Sequence, residues 1–245
     1  MTQSRDTLQT LYKKEENMSG ILYAVGVGPG DPELLTLKAA RILTGADIIA
    51  APKKGNELGL AFQIADKAVP EIRTKEILPL DFPMTKDQAL LSKAHDEAAE
   101  KIETLLRAGK TVALITLGDP ALYSTCSYVT DKVGQKGYPV EYVSGVPSFC
   151  AAAAKIATAL VLGEESILVS NPEKVDLFCG DTLVILKAGK KLRTLKSELR
   201  DSGRDVYLVE NCGMQGETIY HGLENIPDEA GYLSLMIVVS KRRIS

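Results

Sequence analysis

Residues 21–39 read ILYAVGVGPGDPELLTLKA, an apolar run that ends in glycines and is followed by the signal for a helix. The apolar run is typical of a buried strand, and the glycines after it are typical of a tight turn. Asp31, Pro32 and Glu33 favour a helix start, because Asp can cap it, proline suits its first position and Glu interacts with the positive end of the helix dipole. The stretch therefore predicts a strand, a loop and a helix, closed by Gly45.

Similar units continue along the first half of the chain. Strand signals lie at 47–51, 75–82, 111–117 and 140–143, and they alternate with helix signals at 58–68, 88–109 and 123–135. Pro52 is predicted to stop the second strand, and Thr85 with Gln88 forms a capping-box pattern before the long helix. This alternation predicts an α/β domain at 18–146, with a mainly parallel five-stranded sheet covered by helices on both faces.

The second half has a different pattern. A helix signal at 148–157 and strand signals at 166–169, 182–186 and 206–209 are followed by two strand-like segments, 218–221 and 232–240, with no helix between them. We expect these last two to pair antiparallel, because only a crossover connection would make them parallel. The second domain is therefore predicted to be a mixed α/β domain at 147–245. Residues 1–17 form a polar extension to which no function is assigned.

Composition narrows the class of protein. The 245 residues are 45% hydrophobic and 25% charged, as in ordinary globular proteins, with a net charge of −3 that argues against nucleic acid as a partner. No apolar run is long enough for a membrane span and no signal-peptide pattern is present, so the cytoplasm is the expected location. The four cysteines and two histidines are scattered, which argues against a metal site. The thiols are expected to be buried or half-buried, and His95 is expected on a solvated helix face.

The loop Gly26–Asp31 superficially matches the dinucleotide-binding pattern. Against this, Asp31 stands where the third glycine belongs, and Pro29 removes a backbone N–H that would face the phosphates. The segment after the second strand, 50–54, is AAPKK and lacks the acid that binds ribose, which also argues against the common Rossmann-like methyltransferases. A simple tight turn and a ligand-binding loop remain equally open at this point.

Three loops rich in glycine and proline follow buried strands, at 26–31, 118–120 and 144–148. The carboxyl ends of parallel strands meet at one edge of a sheet, and ligands bind there in open α/β folds. This edge is therefore the predicted ligand site, although each loop alone is more often a turn.

Taken together, the loops are distinctive. VGVGPGDPELLTLKA at 25–39, LGDPALYST at 117–125 and VSGVPSF at 143–149 resemble the tetrapyrrole methylase family, and the resemblance continues through VILKAG at 184–189 and LSLMIVVS at 233–240. Within that family, LPLDFPMTKD at 78–87 and the form GDPALYST resemble the precorrin-2 C20-methyltransferases.

The resemblance implies two α/β domains with S-adenosylmethionine folded in a cleft between them, and a homodimer. In the family, backbone groups make most of the contacts to the cofactor. The positions of this sequence that match those contacts are Pro29, Gly118, Asp119, Pro120, Ser148, Phe149, Lys187, Cys212, Gly213 and Leu235. The family often has an apolar residue such as Met where Lys187 stands, so a side-chain role there is in doubt. The loop with Gly28, Gly30 and Asp31 would shape the tetrapyrrole trough.

The implied chemistry needs few specialised side chains. The methyl group of a sulfonium is electrophilic, and an enamine-like meso carbon attacks it in one in-line displacement, so alignment is the main requirement. A base that removes the proton from C20 would come from Asp119, Tyr123 or Asp81. Loop ordering, packing and solvation explain these three residues equally well.

The implied substrate, precorrin-2 or its cobalt complex, carries many carboxylates. Lys53, Lys54 and Lys86 lie at the predicted sheet edge and are expected to bind them by charge-assisted hydrogen bonds, with Asp81 nearby. Ordinary surface lysines are an equal alternative. Other functions left open are methylation of another ring carbon or of RNA, which the net charge disfavours, nicotinamide-dependent oxidoreduction, and tetrapyrrole binding without catalysis.

Overall fold

A computed structural model describes residues 20–177 and 179–240, and the polar extension predicted for 1–17 lies outside them. The described chain divides into two compact units. Residues 20–28 and 32–146 form the first, and residues 29–31 join 147–177 and 179–240 in the second. Among the described residues, no helix is both long and apolar enough to span a membrane.

The first unit is built on a six-stranded sheet. Its strands are β1 (Leu22–Gly26), β2 (Ile48–Lys54), β3 (Glu57–Leu58), β4 (Glu76–Asp81), β5 (Val112–Thr116) and β6 (Val140–Val143). Five run parallel in the order β4, β2, β5, β1, β6, and β3 pairs antiparallel with the end of β2 as a short hairpin. The helices are α1 (Leu37–Gly45), α2 (Leu60–Ala68), α3 (Gln88–Arg107) and α4 (Cys126–Gln135), and short 3₁₀ helices lie at Pro32–Leu34 and Pro70–Thr74.

Two hydrophobic clusters sandwich this sheet. Leu43 of α1 and Ile64 of α2 belong to the cluster on one face, with strand residues such as Val25. Ile102 of α3 belongs to the cluster on the other face, with residues from the neighbouring strand positions. Successive strand residues point to opposite faces, so a strand buried on both sides reads as a continuous apolar run. The predicted mainly parallel sheet with helices on both faces is confirmed, but it has six strands instead of five, because the short hairpin strand β3 joins its edge.

Two helix starts differ from prediction. Asp31 does not open α1, because Pro32–Leu34 forms a separate 3₁₀ helix and α1 begins after Thr36, whose hydroxyl accepts from Ala39 N–H at 3.1 Å. Likewise Asp87, not Thr85, caps α3, because its carboxylate accepts two backbone N–H groups of the first turn. Either residue type can cap a helix, and only the path of the chain decides which one does.

Three segment ends also differ. Pro52 does not stop β2. The ladder between β2 and β5 ends at Ala50, so β5 does not need an N–H from Pro52, and the Pro52 carbonyl accepts from Gly59 N–H at 2.7 Å. Helix α4 begins at Cys126 rather than Tyr123, whose φ of 49° is incompatible with a right-handed helix. The helix that begins at Ser148 ends at Lys155 rather than at 157, because Ala157 has a φ of 50°.

The prediction that His95 lies on a solvated face is wrong. His95 is 7% exposed, its ring is stacked on Tyr128 of α4 with centroids 4.8 Å apart, and Phe82 lies 5.9 Å away. The face of α3 that carries His95 packs against α4, so the charged residues of the helix occupy the other side. Two cysteine predictions are also wrong, because Cys150 and Cys179 are exposed whereas Cys126 and Cys212 are buried.

The second unit is built on a five-stranded mixed sheet. Its strands are β7 (Ile167–Ser170), β8 (Thr182–Leu186), β9 (Asp205–Glu210), β10 (Thr218–His221) and β11 (Ser234–Val239). Its helices are α5 (Ser148–Lys155) and α6 (Leu192–Leu199), with a 3₁₀ helix at Ala188–Lys191. The strand order is β10, β9, β11, β8, β7, in which β7 and β8 run parallel and the other neighbours antiparallel. The predicted mixed sheet is confirmed.

The predicted pairing of the last two strands is wrong. Strands β10 and β11 both pair antiparallel with β9 instead of with each other. All six residues of β11 are buried, whereas β10 is largely exposed. The continuous apolar strand therefore takes the interior position between β8 and β9, and the more polar β10 is left at the edge.

Candidate active site

Glycines at the carboxyl edge of the first sheet allow three loops to approach one another closely. A Cβ on Gly26 would lie 2.5 Å from the Gly118 carbonyl oxygen, and a Cβ on Gly145 would overlap the same atom. Gly28 and Gly118 exchange backbone hydrogen bonds, with Gly118 N–H donating to Gly28 O at 2.8 Å. The predicted convergence of these loops is confirmed within this unit, and its backbone contacts require glycine.

Asp119 joins two of these loops. Ala121 N–H donates to its Oδ1 at 2.8 Å, and Gly145 N–H donates to its Oδ2 at 3.0 Å. Both carboxylate oxygens therefore accept from the backbone, one inside its own loop and one from the loop after β6. These two hydrogen bonds favour a role for Asp119 in ordering the loop over a role in proton transfer. Pro120, the next residue, is buried.

Hydroxyl side chains hold the residues that follow Pro120, and the sequence did not indicate them as part of the site. Ser124 Oγ lies 2.9 Å from Thr116 Oγ1 and accepts from Cys126 N–H at 3.2 Å. Ser127 Oγ donates to the Pro120 carbonyl at 2.9 Å. Tyr123, directly before Ser124, is 58% exposed and has a positive φ, an uncommon conformation for a residue with a side chain. The signal that was present was the run of hydroxyl residues just before a helix.

Two of the residues predicted to bind substrate pair with each other. Lys53 of β2 and Asp81 of β4 are partners in the parallel ladder, and Lys53 Nζ lies 3.5 Å from Asp81 Oδ2. Lys54 and Lys86 are exposed. Lys53 and Lys54 end β2 and Asp81 ends β4, so these three lie at the carboxyl edge of the first sheet, and Lys86 follows on the loop after β4.

Large apolar side chains at the same edge were missed. Leu37, which begins α1, is 90% exposed, and Met84, in the loop after β4, is 83% exposed. Single exposed apolar residues are common on protein surfaces, so each of these two residues by itself does not identify a ligand site. Met84 lies within the FPMT segment, but its exposure could not be read from the sequence.

In the second unit, the predicted residues on the sheet lie at one edge. Leu235, near the start of β11, pairs with Leu186 at the end of β8 and with Val209 near the end of β9. Lys187 therefore emerges beside Leu235, in a left-handed conformation with φ of 59°. Its Nζ lies 5.0 Å from the centre of the Tyr232 ring, a cation–π contact that occupies the side chain. The backbone of Lys187 remains the better candidate for a ligand contact.

The loop after β9 approaches the segment 29–31 at backbone distance. A Cβ on Gly30 would overlap the Cys212 carbonyl oxygen, and a Cβ on Gly213 would lie 2.6 Å from Asp31 N. Cys212 is 5% exposed, and burial raises the pKa of its thiol to about 11, so it stays protonated near neutral pH. Cys212 is therefore not a nucleophile here, and the backbone is the part of this loop available to a ligand.

Helix α5 presents its first turn at the start of the second unit. Ser148 and Phe149 are its first two residues and both are half-buried. Pro147 precedes them at the N-cap position, and its side chain makes no hydrogen bond to the helix. First-turn backbone N–H groups have no partner within a helix and suit polar ligand atoms.

The residues 21–226 match the family model described as tetrapyrrole (corrin/porphyrin) methylases, which covers most of the chain. The chain belongs to the tetrapyrrole methylase family. The family named by the sequence resemblance is therefore confirmed, and the edges described above lie on the fold of a tetrapyrrole methylase.

Relatives of this tetrapyrrole methylase agree in name. A probable cobalt-precorrin-2 C(20)-methyltransferase from Methanocaldococcus jannaschii is 37% identical, over 91% of this chain and 97% of the relative. A cobalt-precorrin-2 C(20)-methyltransferase from Salmonella typhimurium is 33% identical, over 90% of this chain and 97% of the relative.

A solved structure shares the fold. The uroporphyrin-III C-methyltransferase from Thermus thermophilus, complexed with S-adenosylhomocysteine, aligns with a TM-score of 0.64 at 24% identity, over 90% of this chain and 97% of that one.

Each unit of this tetrapyrrole methylase has a glycine with a left-handed backbone in one of the predicted cofactor loops. Gly118 and Gly213 have φ of 65° and 74° and carry no side chain to obstruct an approach. Among residues 20–177 and 179–240, no group of three or more His, Cys, Asp or Glu side chains could hold a metal ion.

Proposed function

We propose that this protein transfers a methyl group from S-adenosylmethionine to C20 of the cobalt complex of precorrin-2, a step of cobalamin biosynthesis. The observation that carries the proposal is the agreement between the Methanocaldococcus and Salmonella relatives, both above 30% identity and matched over nearly their full lengths. Both are named for the same ring carbon and for the cobalt form of the substrate.

The proposed cofactor ligands are backbone groups of both units. In the first unit they are Gly118, Asp119 and Pro120, ordered by the Asp119 carboxylate. In the second unit they are Pro29, Ser148, Phe149, Lys187, Cys212, Gly213 and Leu235. The complex of the Thermus enzyme with S-adenosylhomocysteine supports this cofactor for a protein of the same fold.

Alignment is the proposed source of rate enhancement. The bound cofactor supplies an electrophilic methyl group, and the chain fixes that group in line with the attacking carbon, which lowers the barrier by roughly 7–11 kcal/mol in favourable cases. Asp119 orders the loop in this proposal and is not the base. Tyr123, exposed and in a strained conformation, remains the candidate at the loop after β5.

The substrate surface combines charge with apolar area. Lys53, Lys54 and Lys86 would bind peripheral carboxylates, while Leu37 and Met84 offer exposed apolar area to the faces of the macrocycle. Gly28, Gly30 and Asp31 are proposed to line the trough for the ring. Asp81 is proposed to orient Lys53 through their ion pair rather than to contact substrate.

The decisive experiment compares two substrates. Purified protein with S-adenosylmethionine is offered precorrin-2 and its cobalt complex in parallel, with a ¹³C-labelled methyl donor. We expect the label at C20 by NMR, with faster turnover of the cobalt complex. A label at another ring carbon, or none with either substrate, would refute the proposal.

The substrate surface can be tested separately. Replacing Lys53 and Lys54 together by alanine should weaken tetrapyrrole binding at least about tenfold, because two charge-assisted contacts are lost, and leave S-adenosylhomocysteine binding unchanged. The matched control replaces the exposed Lys67 and Lys101, on α2 and α3, by alanine. Equal tetrapyrrole affinity in the two double variants would assign Lys53 and Lys54 to the ordinary surface.

The homodimer expected from the family belongs to the same proposal. Light scattering coupled to size-exclusion chromatography should give about twice the 26.4 kDa of one chain. If the protein is a monomer and still methylates C20, the proposed homodimer is wrong and the activity does not depend on it.

A further inference from the structure

The loop 211–217 between β9 and β10 has an unusual backbone. Asn211, Gly213 and Gly216 have φ of 50°, 74° and 80°, so three of its seven residues are left-handed. The loop is closed by Met214 N–H donating to Asn211 O at 2.9 Å and by Asn211 Nδ2 donating to Gly216 O at 3.2 Å. Gly213 and Gly216 adopt this conformation without steric cost and Asn211 tolerates it, so the backbone has many conformations open to it and hydrogen bonds are needed to select one.

Glu217 supplies the strongest of these interactions. Gly213 N–H donates to its Oε2 at 2.5 Å, across the width of the loop. The other oxygen, Oε1, lies 3.4 Å from Lys155 Nζ, and the Glu217 side chain is only 23% exposed. A backbone N–H bonded to a carboxylate is stronger than a neutral hydrogen bond, and partial burial protects it from water.

The partner lysine connects this loop to another proposed cofactor segment. Lys155 is the last residue of α5, the helix whose first turn carries Ser148 and Phe149. The Glu217 carboxylate thus contacts the Gly213 backbone directly and is paired with the far end of α5. Glu217 therefore links the loop 211–217 to the helix whose opposite end carries Ser148 and Phe149.

The position of Gly213 leaves little tolerance. An added Cβ there would lie 2.6 Å from Asp31 N, and the same loop passes within backbone contact of Gly30. A shift of Gly213 would therefore also change the path that segment 29–31 follows beside it.

We infer that Glu217 is a positioning residue for the methyl donor, fixing Cys212 and Gly213 through the Gly213 N–H and aligning them with α5 through Lys155. The inference rests on the proposed function and extends it to a side chain that touches neither reactant. Glu217 acts through the loop backbone and the helix that it holds, so its loss should appear in cofactor affinity before it appears in turnover.

Three variants test the role. Glu217→Ala removes both contacts, Glu217→Gln keeps an oxygen that can accept from Gly213 N–H but loses the charge, and Lys155→Met removes only the ion pair. The control is Glu173→Ala, because Glu173 and Lys191 form an ion pair at the same 3.4 Å distance in the same unit. The measurements are the Kd of S-adenosylhomocysteine by calorimetry, the KM for S-adenosylmethionine with kcat, and circular dichroism.

We expect Glu217→Ala to raise the Kd about tenfold, because the hydrogen bond from Gly213 N–H is lost. Glu217→Gln should raise it about threefold, because the same hydrogen bond is only weakened when the acceptor loses its charge. Lys155→Met should raise it about twofold to threefold, and Glu173→Ala should not change it. The KM for the donor should rise in the same order with kcat nearly constant, the signature of lost binding common to ground and transition states.

A folded Glu217→Ala protein with the wild-type Kd would overturn the inference. If that variant does not fold, wild-type affinity in both Glu217→Gln and Lys155→Met overturns it instead. A wild-type protein that binds no S-adenosylhomocysteine would instead refute the proposed function itself, and the inference with it.

Discussion

At the level of single residues, the two hydrogen bonds of Asp119 indicate that it orders its loop. We expect Asp119→Ala to lower the free energy of unfolding by about 2 kcal/mol, because two backbone N–H groups, of Ala121 and Gly145, lose a carboxylate acceptor. Urea denaturation measures the change, and the exposed Asp201→Ala serves as control. The sequence placed Asp119 in the loop after β5 but left base and loop-ordering roles open, because Gly145 is distant along the chain.

The same substitution separates the two roles. A base would lose kcat while the free energy of unfolding stayed at the wild-type value. A loop-ordering residue loses stability and cofactor affinity together. The first pattern would contradict the assignment made here.

His95 predicts a pH dependence of stability. Burial lowers the pKa of its imidazole below the ordinary 6.5, and the Lys132 charge lowers it further, while Asp96 opposes the shift. Below about pH 6.5 the unfolded chain therefore binds a proton that the folded chain resists, so stability falls as pH drops through this window and is unaffected above it. We expect His95→Phe to flatten the stability profile between pH 7 and 5, measured by urea denaturation. An identical slope in both proteins would contradict this account.

At the scale of elements, the strand order of the second sheet can be tested with one substitution made twice. Ile237 of β11 is fully buried between two strands, and Ile219 of β10 is 41% exposed at the edge. We expect Ile237→Ala to lower the free energy of unfolding by about 2–5 kcal/mol through the cavity it leaves, and Ile219→Ala by less than about 1 kcal/mol. Chemical denaturation of both variants gives the comparison. Equal losses would mean that β11 is not the interior strand.

At the scale of the whole molecule, ligand linkage distinguishes the remaining classes of function. S-adenosylhomocysteine at one hundred times its Kd should raise the free energy of unfolding by about 2.7 kcal/mol, because it binds only the folded chain. NADH at the same concentration should leave stability unchanged, since the loop 26–31 has Asp31 and Pro29 where phosphate binding needs glycine and an N–H. Denaturation with and without each ligand gives the measurement. Stabilisation by NADH alone would favour the oxidoreductase alternative.

The sequence by itself determined the α/β class, the parallel first sheet, the mixed second sheet and the loops at their edges. These features follow from local signals, namely apolar runs that end in Gly and Pro, whose backbone preferences act over a few residues. The family could be recognised for the same reason, because its distinctive residues lie in those short loops.

Only the tertiary structure decided which distant groups meet. The pairing of β10 and β11 with β9, the burial of His95 against Tyr128, and the Lys53–Asp81 pair depend on which elements become neighbours. Glu217 is the clearest case, since nothing in its sequence surroundings indicates that its carboxylate receives the Gly213 N–H and faces Lys155. Such contacts arise because packing of the whole chain, rather than the preference of any one segment, sets the distances between side chains.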